Sequence, residues 1–472
     1  MTSAGSAALG SRPPGPRGDR WTGNLMAYEE DRLGFLLGLR ERYGAVVAFD
    51  DRTTIVNDVD LAHEVLADRQ RAFAILGNFR AERVTAHQAG AAVEARAAMG
   101  PGLRPAAITH LGPQTSRLIE QAFSGAATGA SATLDPIPLL EDVLTRVTYE
   151  HYFGADWSTV RPVVGRLLTC LAAVFGSPFA LPSFIPTPSR LRIRLAYRAA
   201  RAAVDPLIET RRRTREADDY VAQLVRTKQL VGASPARVAD LVIGSLLAAH
   251  RIPALGVAWA LLELSHQPRV QHDLAVRSLE RESPDAPPPL ALATILEAVR
   301  LHPPTWILNR TVTRPAVLGQ YEFAPGDQLI ISPYVIHRDP TVFERPLDFD
   351  ADRWSQTTAT RGFLGFGRGL NICPGQHLGL VTMTYALTAI VRRWRIEPDP
   401  ADSTALLEDP RSSLVPVHPA IRLEPRRHRE PVDATSPSGS VVQAVDRPLT
   451  SSTRWENLSQ TACLDTPSDF PI

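Results

Sequence analysis

One cysteine constrains this chain more than any other residue. The run Phe363-Leu-Gly-Phe-Gly-Arg-Gly-Leu-Asn-Ile-Cys373-Pro-Gly-Gln-His377 sets it at the end of a glycine-rich loop, just ahead of an apolar helical pattern. A thiolate placed there is stabilised by the positive end of the helix dipole and by loop N–H groups directed at the sulfur. Gly367, Gly369 and Gly375 carry no Cβ, so backbone and a flat ligand can approach closely. Phe366 can pack beside the sulfur and keep water from it. The bland alternative is a small buried hydrophobe, the usual fate of a lone cysteine. The aromatic residue, the glycines, Pro374 and the helix that follows favour a ligating thiolate, the ligand that pushes electron density from below a haem iron.

The rest of the composition fits a soluble globular protein. At 472 residues the chain can hold one large domain or roughly two to three ordinary ones. Hydrophobic residues make up 44% and charged residues 21%. Lys+Arg 51 against Asp+Glu 50 leaves a formal net charge of +1, which gives no long-range pull toward nucleic acid or an anionic membrane. Cys170, Cys373 and Cys463 are too few and too scattered for a disulfide framework, so a cytoplasmic location is expected. Leu241 to Ala249 is apolar, but His250, Arg251 and Pro253 interrupt it. A buried kinked helix is expected there rather than a membrane span, which needs ~20 continuous apolar residues.

Along the chain, Val46 to Phe49 and Thr53 to Val56 flank Asp50-Asp51-Arg52 and read as a hairpin. From Leu61 to Val231 helical periodicity dominates, broken at Pro101, Pro105, Pro136 and the Pro182/Pro186/Pro188 cluster. Ala239 to Gln267 is the longest apolar helical pattern. Leu290 to Leu301 reads as a helix ended by Pro303, and strand-like runs follow from Trp306 to Ile336. An irregular stretch leads to Phe366, and Leu378 to Trp394 reads as a final long helix. Residues 1–25 are expected to be a flexible N-terminal segment and 26–425 the folded domain. Residues 426–472, rich in Ser, Thr, Pro and charge, are expected to be a disordered tail.

The cysteine run resembles the proximal loop of the cytochrome P450 family: Phe, two residues, Gly, one residue, Arg or His, one residue, Cys, one residue, Gly. Phe366, Gly369, Cys373 and Gly375 match it, and Asn371 stands where the basic residue belongs. The resemblance extends from about Leu33 to Arg422. It implies a mainly α-helical fold with a smaller β part and haem b held through Cys373. It also implies a buried ion network of Glu297, Arg300 and Arg353, structural rather than chemical. Arg310 matches the family's haem-propionate arginine, a role suited to its forked donors. Arg96 and Arg368 are further propionate candidates, with ordinary solvated arginines as the alternative for both.

The resemblance fails on the distal helix. Trp259-Ala-Leu-Leu-Glu-Leu-Ser-His-Gln-Pro268 fixes the register without a gap. Ala248, Ala249 and His250 then match the family's opening, but Arg251 occupies the acid position, Ile252 the alcohol position and Pro253 the next. The usual acid and alcohol pass protons to the oxygen chemistry. Ile252 has no donor, and Arg251 does not release its proton. Three readings stay open. Substrate, an ordered water or His250 supplies the protons to a monooxygenase; hydrogen peroxide, which brings its own protons, is the oxidant; or the protein rearranges a substrate or serves as a non-catalytic haem partner in a biosynthetic assembly. His250 and Arg251 lying on the back of the helix is the plain structural alternative.

The leading expectation is a monomeric P450 monooxygenase that oxidises a hydrophobic terpenoid or polyketide in bacterial specialised metabolism. Ferredoxin and ferredoxin reductase would supply electrons, docking on a basic face that Arg361, Arg368, Arg392 and Arg393 can form if they are not simply solvated. Neither nucleic acid nor a membrane is expected as a partner.

Overall fold

Proline places many of the helices. In the computed structural model, seven described helices begin on a proline, at positions 105, 136, 188, 235, 268, 289 and 333. Its fixed φ suits a first turn, and its missing N–H would have had no intrahelical partner there. The prolines expected as breaks at 101, 105, 136 and 188 therefore act as starts. Pro162 and Pro206 lie inside helices instead. The structure describes residues 12–68, 72–75, 97–127, 131–175, 187–214, 217–279, 286–355, 361–399, 406–410 and 412–426. Arg96, Cys463, Pro182, Pro186 and residues 427–472 lie outside them.

In chain order the described helices are α1 (Leu25–Glu30), α2 (Arg32–Tyr43), α3 (Val59–Ala67), α4 (Pro105–Ile108), α5 (Leu111–Ala126), α6 (Pro136–Phe153), α7 (Trp157–Phe175) and α8 (Pro188–Arg213). They continue as α9 (Tyr220–Val225), α10 (Pro235–Ala249), α11 (Ile252–His266), α12 (Pro268–Leu279), α13 (Pro289–Leu301), α14 (Pro333–Ile336) and α15 (Gln376–Arg393). Side chains supply several caps: Asp58, Asp135, Asp219, Ser234 and Ser332 each accept from an N–H of the first turn that follows.

The expected hairpin is present. β1 (Val46–Ala48) pairs antiparallel with β2 (Thr53–Val56). They join β3 (Phe73–Ala74), β5 (Leu308–Val312) and β8 (Gln328–Ile331) in a five-stranded sheet of order β1-β2-β8-β5-β3, parallel only between β2 and β8. A second sheet runs β4 (Ala132–Leu134), β12 (Ile421–Pro425), β9 (Trp394–Pro398). β6 (Ala316–Leu318) with β7 (Tyr321–Phe323), and β10 (Glu408–Pro410) with β11 (Leu414–Pro416), form two antiparallel pairs. The fold runs past both expected boundaries. Ahead of 26, the Pro14 carbonyl accepts from Ala48 N–H at 2.9 Å and Asn24 Nδ2 donates to Phe49 O at 2.6 Å. Beyond 425, Arg426 donates to Arg393 O and Val391 O at 2.8 and 2.7 Å.

The centre of the core is α11. It packs against α6, α13 and α15, with Ala254 to Leu262 buried, and Trp259 Nε1 donates to Leu414 O at 3.1 Å. Gly256 lets α11 meet α15 closely, because a Cβ there would lie 2.6 Å from Met383 Sδ. The single pattern expected over Ala239 to Gln267 is two helices, α10 and α11, joined by a turn at His250–Arg251. Pro253 has no N–H for the Ala249 carbonyl, so the ladder opens at this joint. Pro235–His266 taken together is long and apolar enough to cross a membrane by length and composition. Its joint and its packing against three other helices are those of a core element.

Candidate haem-thiolate site

The cysteine loop is shaped by its own backbone. Gly367 N–H donates to Leu364 O at 2.9 Å, Ile372 N–H to Gly369 O at 3.1 Å, and Cys373 N–H to Phe366 O at 2.8 Å. A 3₁₀ turn at Gly369–Asn371 rests on α3. Gly369 has φ +67°, and a Cβ there would lie 2.5 Å from Ala67 Cα and Leu66 O, so only glycine satisfies both the turn and the approach. Gly375 is the N-cap residue of α15, which puts Cys373 at the positive end of that helix. Cysteine is usually buried, but Cys373 is exposed and makes no disulfide. Arg310, by contrast, is buried on β5, its Nη1 donating to Asn309 O at 2.8 Å. An accessible sulfur at a helix head, a glycine-lined loop and a buried guanidinium form a donor set that fits haem. Phe366, Arg368, Asn371 and Gly375 share the loop with Cys373. Arg96 lies outside the described residues.

Behind this loop sits a dry ion network. Arg300 and Glu297 are 0% exposed and pair bidentately, Nε to Oε2 and Nη2 to Oε1, both at 2.9 Å. The remaining Arg300 donors reach His337 O, Pro346 O and Asp348 O at 2.9, 2.7 and 3.1 Å, so all five of its N–H groups are used. Glu297 also accepts from Arg353 Nε at 3.2 Å, Asp350 N–H at 2.9 Å and Trp354 Nε1 at 3.0 Å. The structure thus brings Glu297, Arg300 and Arg353 together and adds Trp354.

His337 carries this network into the cysteine loop. Its Nδ1 donates to Arg300 O at 2.9 Å while Nε2 accepts from Leu364 N–H at 2.9 Å, which fixes a neutral imidazole. Burial, reinforced by the Arg300 charge, pushes its pKa from 6.5 down to about 3. Its ring stacks on Phe363 at 5.4 Å, and Phe363 meets Trp354 and Phe366 at 4.9 and 6.0 Å between centroids. Nothing in the sequence around His337 showed that its ring bridges two elements.

A second network escaped the sequence reading altogether. His302, at the C-terminus of α13, lies between Glu263 of α11 and Glu408 of β10, with N···O distances of 2.7 and 2.6 Å. Burial alone would lower its pKa, but the two carboxylates outweigh burial and hold it above 6.5. Tyr334 donates to the other Glu408 oxygen at 2.6 Å, and Trp259 stacks on the His302 ring at 4.0 Å. The imidazolium therefore ties the central helix to the β10–β11 hairpin.

At the joint between α10 and α11 the polar groups are engaged by α6. Arg251 Nε pairs with Glu141 at 2.9 Å, the guanidine side chain 47% exposed, and Thr145 Oγ1 donates to His250 O at 3.2 Å. Burial, with the charges of Arg161 and Arg251, lowers the His250 pKa below 6.5. Ile252, half-buried, opens α11.

The Cytochrome P450 family profile matches residues 13–423. The chain belongs to the cytochrome P450 family. Membership brings haem with a cysteine thiolate ligand. Among similar curated proteins are cyclooctatin synthase (32% identical over 59% of this chain and 66% of that protein) and cyclooctat-9-en-7-ol 5-monooxygenase (29%, over 57% and 63%), both of Streptomyces melanosporofaciens. Pentalenene oxygenase of Streptomyces avermitilis is 28% identical over 54% of this chain and 57% of its own length. The matches therefore span about two thirds or less of these relatives. The crystal structure of a cytochrome P450DA mutant haem domain superposes with a TM-score of 0.72 at 18% identity, covering 88% of this chain and 98% of that one, which is a likeness of fold.

Proposed function

We propose that this P450 is a monooxygenase that oxidises a hydrophobic small molecule of the terpenoid type, with Cys373 as the axial ligand of its haem. The observation that carries the reading is the accessible Cys373 sulfur at the head of α15, in a loop tied through His337 to the Glu297–Arg300 pair. Haem held there supplies oxidising chemistry. The chain's own residues hold and orient it: Arg310, Arg368 and Arg96 are the candidates for its carboxylates, and Phe366 shields the sulfur. The names of the relatives support a terpenoid-type substrate, since one acts as a pentalenene oxygenase and another at a position of cyclooctat-9-en-7-ol.

The distal residues act differently from the family's acid and alcohol. Arg251 pairs with Glu141 on α6, which supports a structural role for it over a proton relay. His250 favours the neutral form at pH 7 because its pKa is lowered, so it is a poor proton donor. Protons then come from ordered water or from the substrate. Electrons come from a ferredoxin and its reductase, for which exposed Arg361 and Arg393, ion-paired with Asp60 and Glu120, are candidate contacts, and the enzyme works in the cytoplasm as a monomer.

The test is turnover of a panel of cyclic terpene hydrocarbons and alcohols, run in parallel with ferredoxin, reductase and NADPH and with hydrogen peroxide alone. Product from the first and none from the second is expected. Product from peroxide only would overturn the monooxygenase reading. Failure of both, with tight binding to a biosynthetic enzyme, would favour a non-catalytic role.

A further inference from the structure

We propose that His110 and His151 form a two-histidine site for a divalent transition metal ion of the Zn²⁺ class, in a cleft that shares no lining residue with the cysteine loop or the α10–α11 joint. The inference rests on this cleft alone and is independent of the substrate reading. His110 stands just ahead of α5 and is exposed, whereas His151, near the end of α6, is 8% exposed. Both line one cleft of about 340 Å³, together with Gln114, Glu150 and Trp157. Their ring centroids are 6.0 Å apart, with the planes at 50°. A metal bound through a ring nitrogen at about 2.0–2.1 Å lies about 3.2 Å from that ring's centroid, so two imidazoles on one tetrahedral ion stand about 5 Å apart. Rotating the exposed His110 side chain closes the difference.

The backbone prepares His151 as a ligand. Its Nε2 lies 3.0 Å from Gly102 O, which only accepts, so Nε2 carries the proton and Nδ1 keeps its lone pair. Metal-bound histidines have this arrangement, one nitrogen on the ion and the other donating to a carbonyl or carboxylate. Burial holds the His151 pKa below 6.5, against the Gly102 hydrogen bond and the Asp219 charge, and so favours the neutral ring that binds metal. The carboxylates around the cleft are engaged elsewhere: Glu150 accepts from Arg146 Nε at 2.7 Å and from Gln114, and Asp219 pairs with Arg211 at 2.7 Å. Among the described residues no group of three or more His, Cys, Asp or Glu is placed to hold a metal, so the ion takes two protein ligands and completes its shell with water. Imidazole nitrogen selects Zn²⁺, Cu²⁺ and Ni²⁺ over Mg²⁺ and Ca²⁺, which prefer oxygen. An ion held there would tie the start of α5 to the end of α6.

The experiment is calorimetric titration of the full-length, haem-loaded protein with zinc chloride and with magnesium chloride, followed by thermal melts with and without zinc. One saturable zinc site, no magnesium site and a thermal midpoint raised by zinc are expected. His110→Gln removes an exposed ring. His151→Gln keeps a donor for the Gly102 carbonyl where Nε2 stood and removes the Nδ1 lone pair. Each should weaken zinc binding at least ~10-fold and abolish the thermal shift. A control pair at exposed positions elsewhere, His266→Gln with His272→Gln, should leave both readouts unchanged. Circular dichroism and the carbon monoxide spectrum show that each variant is folded and holds haem. Anomalous scattering from a zinc-soaked crystal should place the ion between the two rings. Zinc binding at full strength in His110→Gln, equal binding of magnesium, or an ion found elsewhere would overturn the proposal. So would uptake that does not saturate, the mark of an adventitious ion only.

Discussion

Replacing Glu297 by glutamine probes how firmly the fold behind the haem is set. The carboxylate is 0% exposed and accepts five hydrogen bonds: two from Arg300 and one each from Arg353, Trp354 and the Asp350 amide. Glu297→Gln keeps the shape but removes the charge that balances two guanidinium groups, and it turns an NH₂ toward groups that can only donate. Breaking one side of such a buried pair costs about 3–5 kcal/mol, a large share of the ~5–15 kcal/mol that stabilises a typical domain. The thermal midpoint of the haem-loaded variant should fall by several degrees. The damage should also appear at a distance, because Arg300 O holds His337 and His337 holds the Leu364 amide at 2.9 Å in each link. Hydrogen exchange at Leu364 should therefore accelerate more than exchange in α8, which has no link to the network. A midpoint within about 1 °C of wild type, or unchanged exchange at Leu364, would refute the argued coupling.

Four further outcomes are expected. His302 titrates above 6.5 in the fold, so its contribution is complete below pH 6.5 and is lost as pH rises through the raised value; the stability lost in His302→Gln should shrink at alkaline pH in urea titrations. His337 has the opposite sign: its pKa falls from 6.5 to about 3, so stability drains away as pH drops through that window, and His337→Gln should flatten the acid limb of the stability profile. Gly369→Ala meets backbone at 2.5 Å in a left-handed conformation, and haem retention on a desalting column should fall together with a stability loss of at least ~1–3 kcal/mol. Arg251→Gln breaks a half-exposed pair and should cost no more than ~1 kcal/mol, with KM unchanged within a few-fold; a tenfold rise in KM would show that Arg251 holds substrate.

Much of the site was legible because the chemistry is local in sequence. The Phe366 to Gly375 loop carries its own turn, its own glycines and the start of α15, so residue types alone announced it. The Glu297–Arg300 pair was expected from the family resemblance, because a carboxylate and a guanidinium one turn apart are commonplace on helix surfaces. His302 was not, because its partners Glu263 and Glu408 lie 39 and 106 residues away, and a histidine before two prolines looks like a turn. The joint at His250–Arg251 was visible as an anomaly through Pro253. What the side chains face was not, since the engagement of Arg251 by Glu141 depends on how α6 packs against the joint. The domain limits were set by where composition changes. The fold continues on both sides because Pro14 and Arg426 are held by backbone hydrogen bonds that any composition can make.

The reduced, carbon monoxide-treated absorption spectrum tests the central claim most directly. With Cys373 as the iron's ligand, the wild-type protein gives the strongly red-shifted Soret band of thiolate ligation, and Cys373→Ala loses it while haem still binds. A thiolate-type band that persists in Cys373→Ala, or its absence from the wild type, would contradict the account.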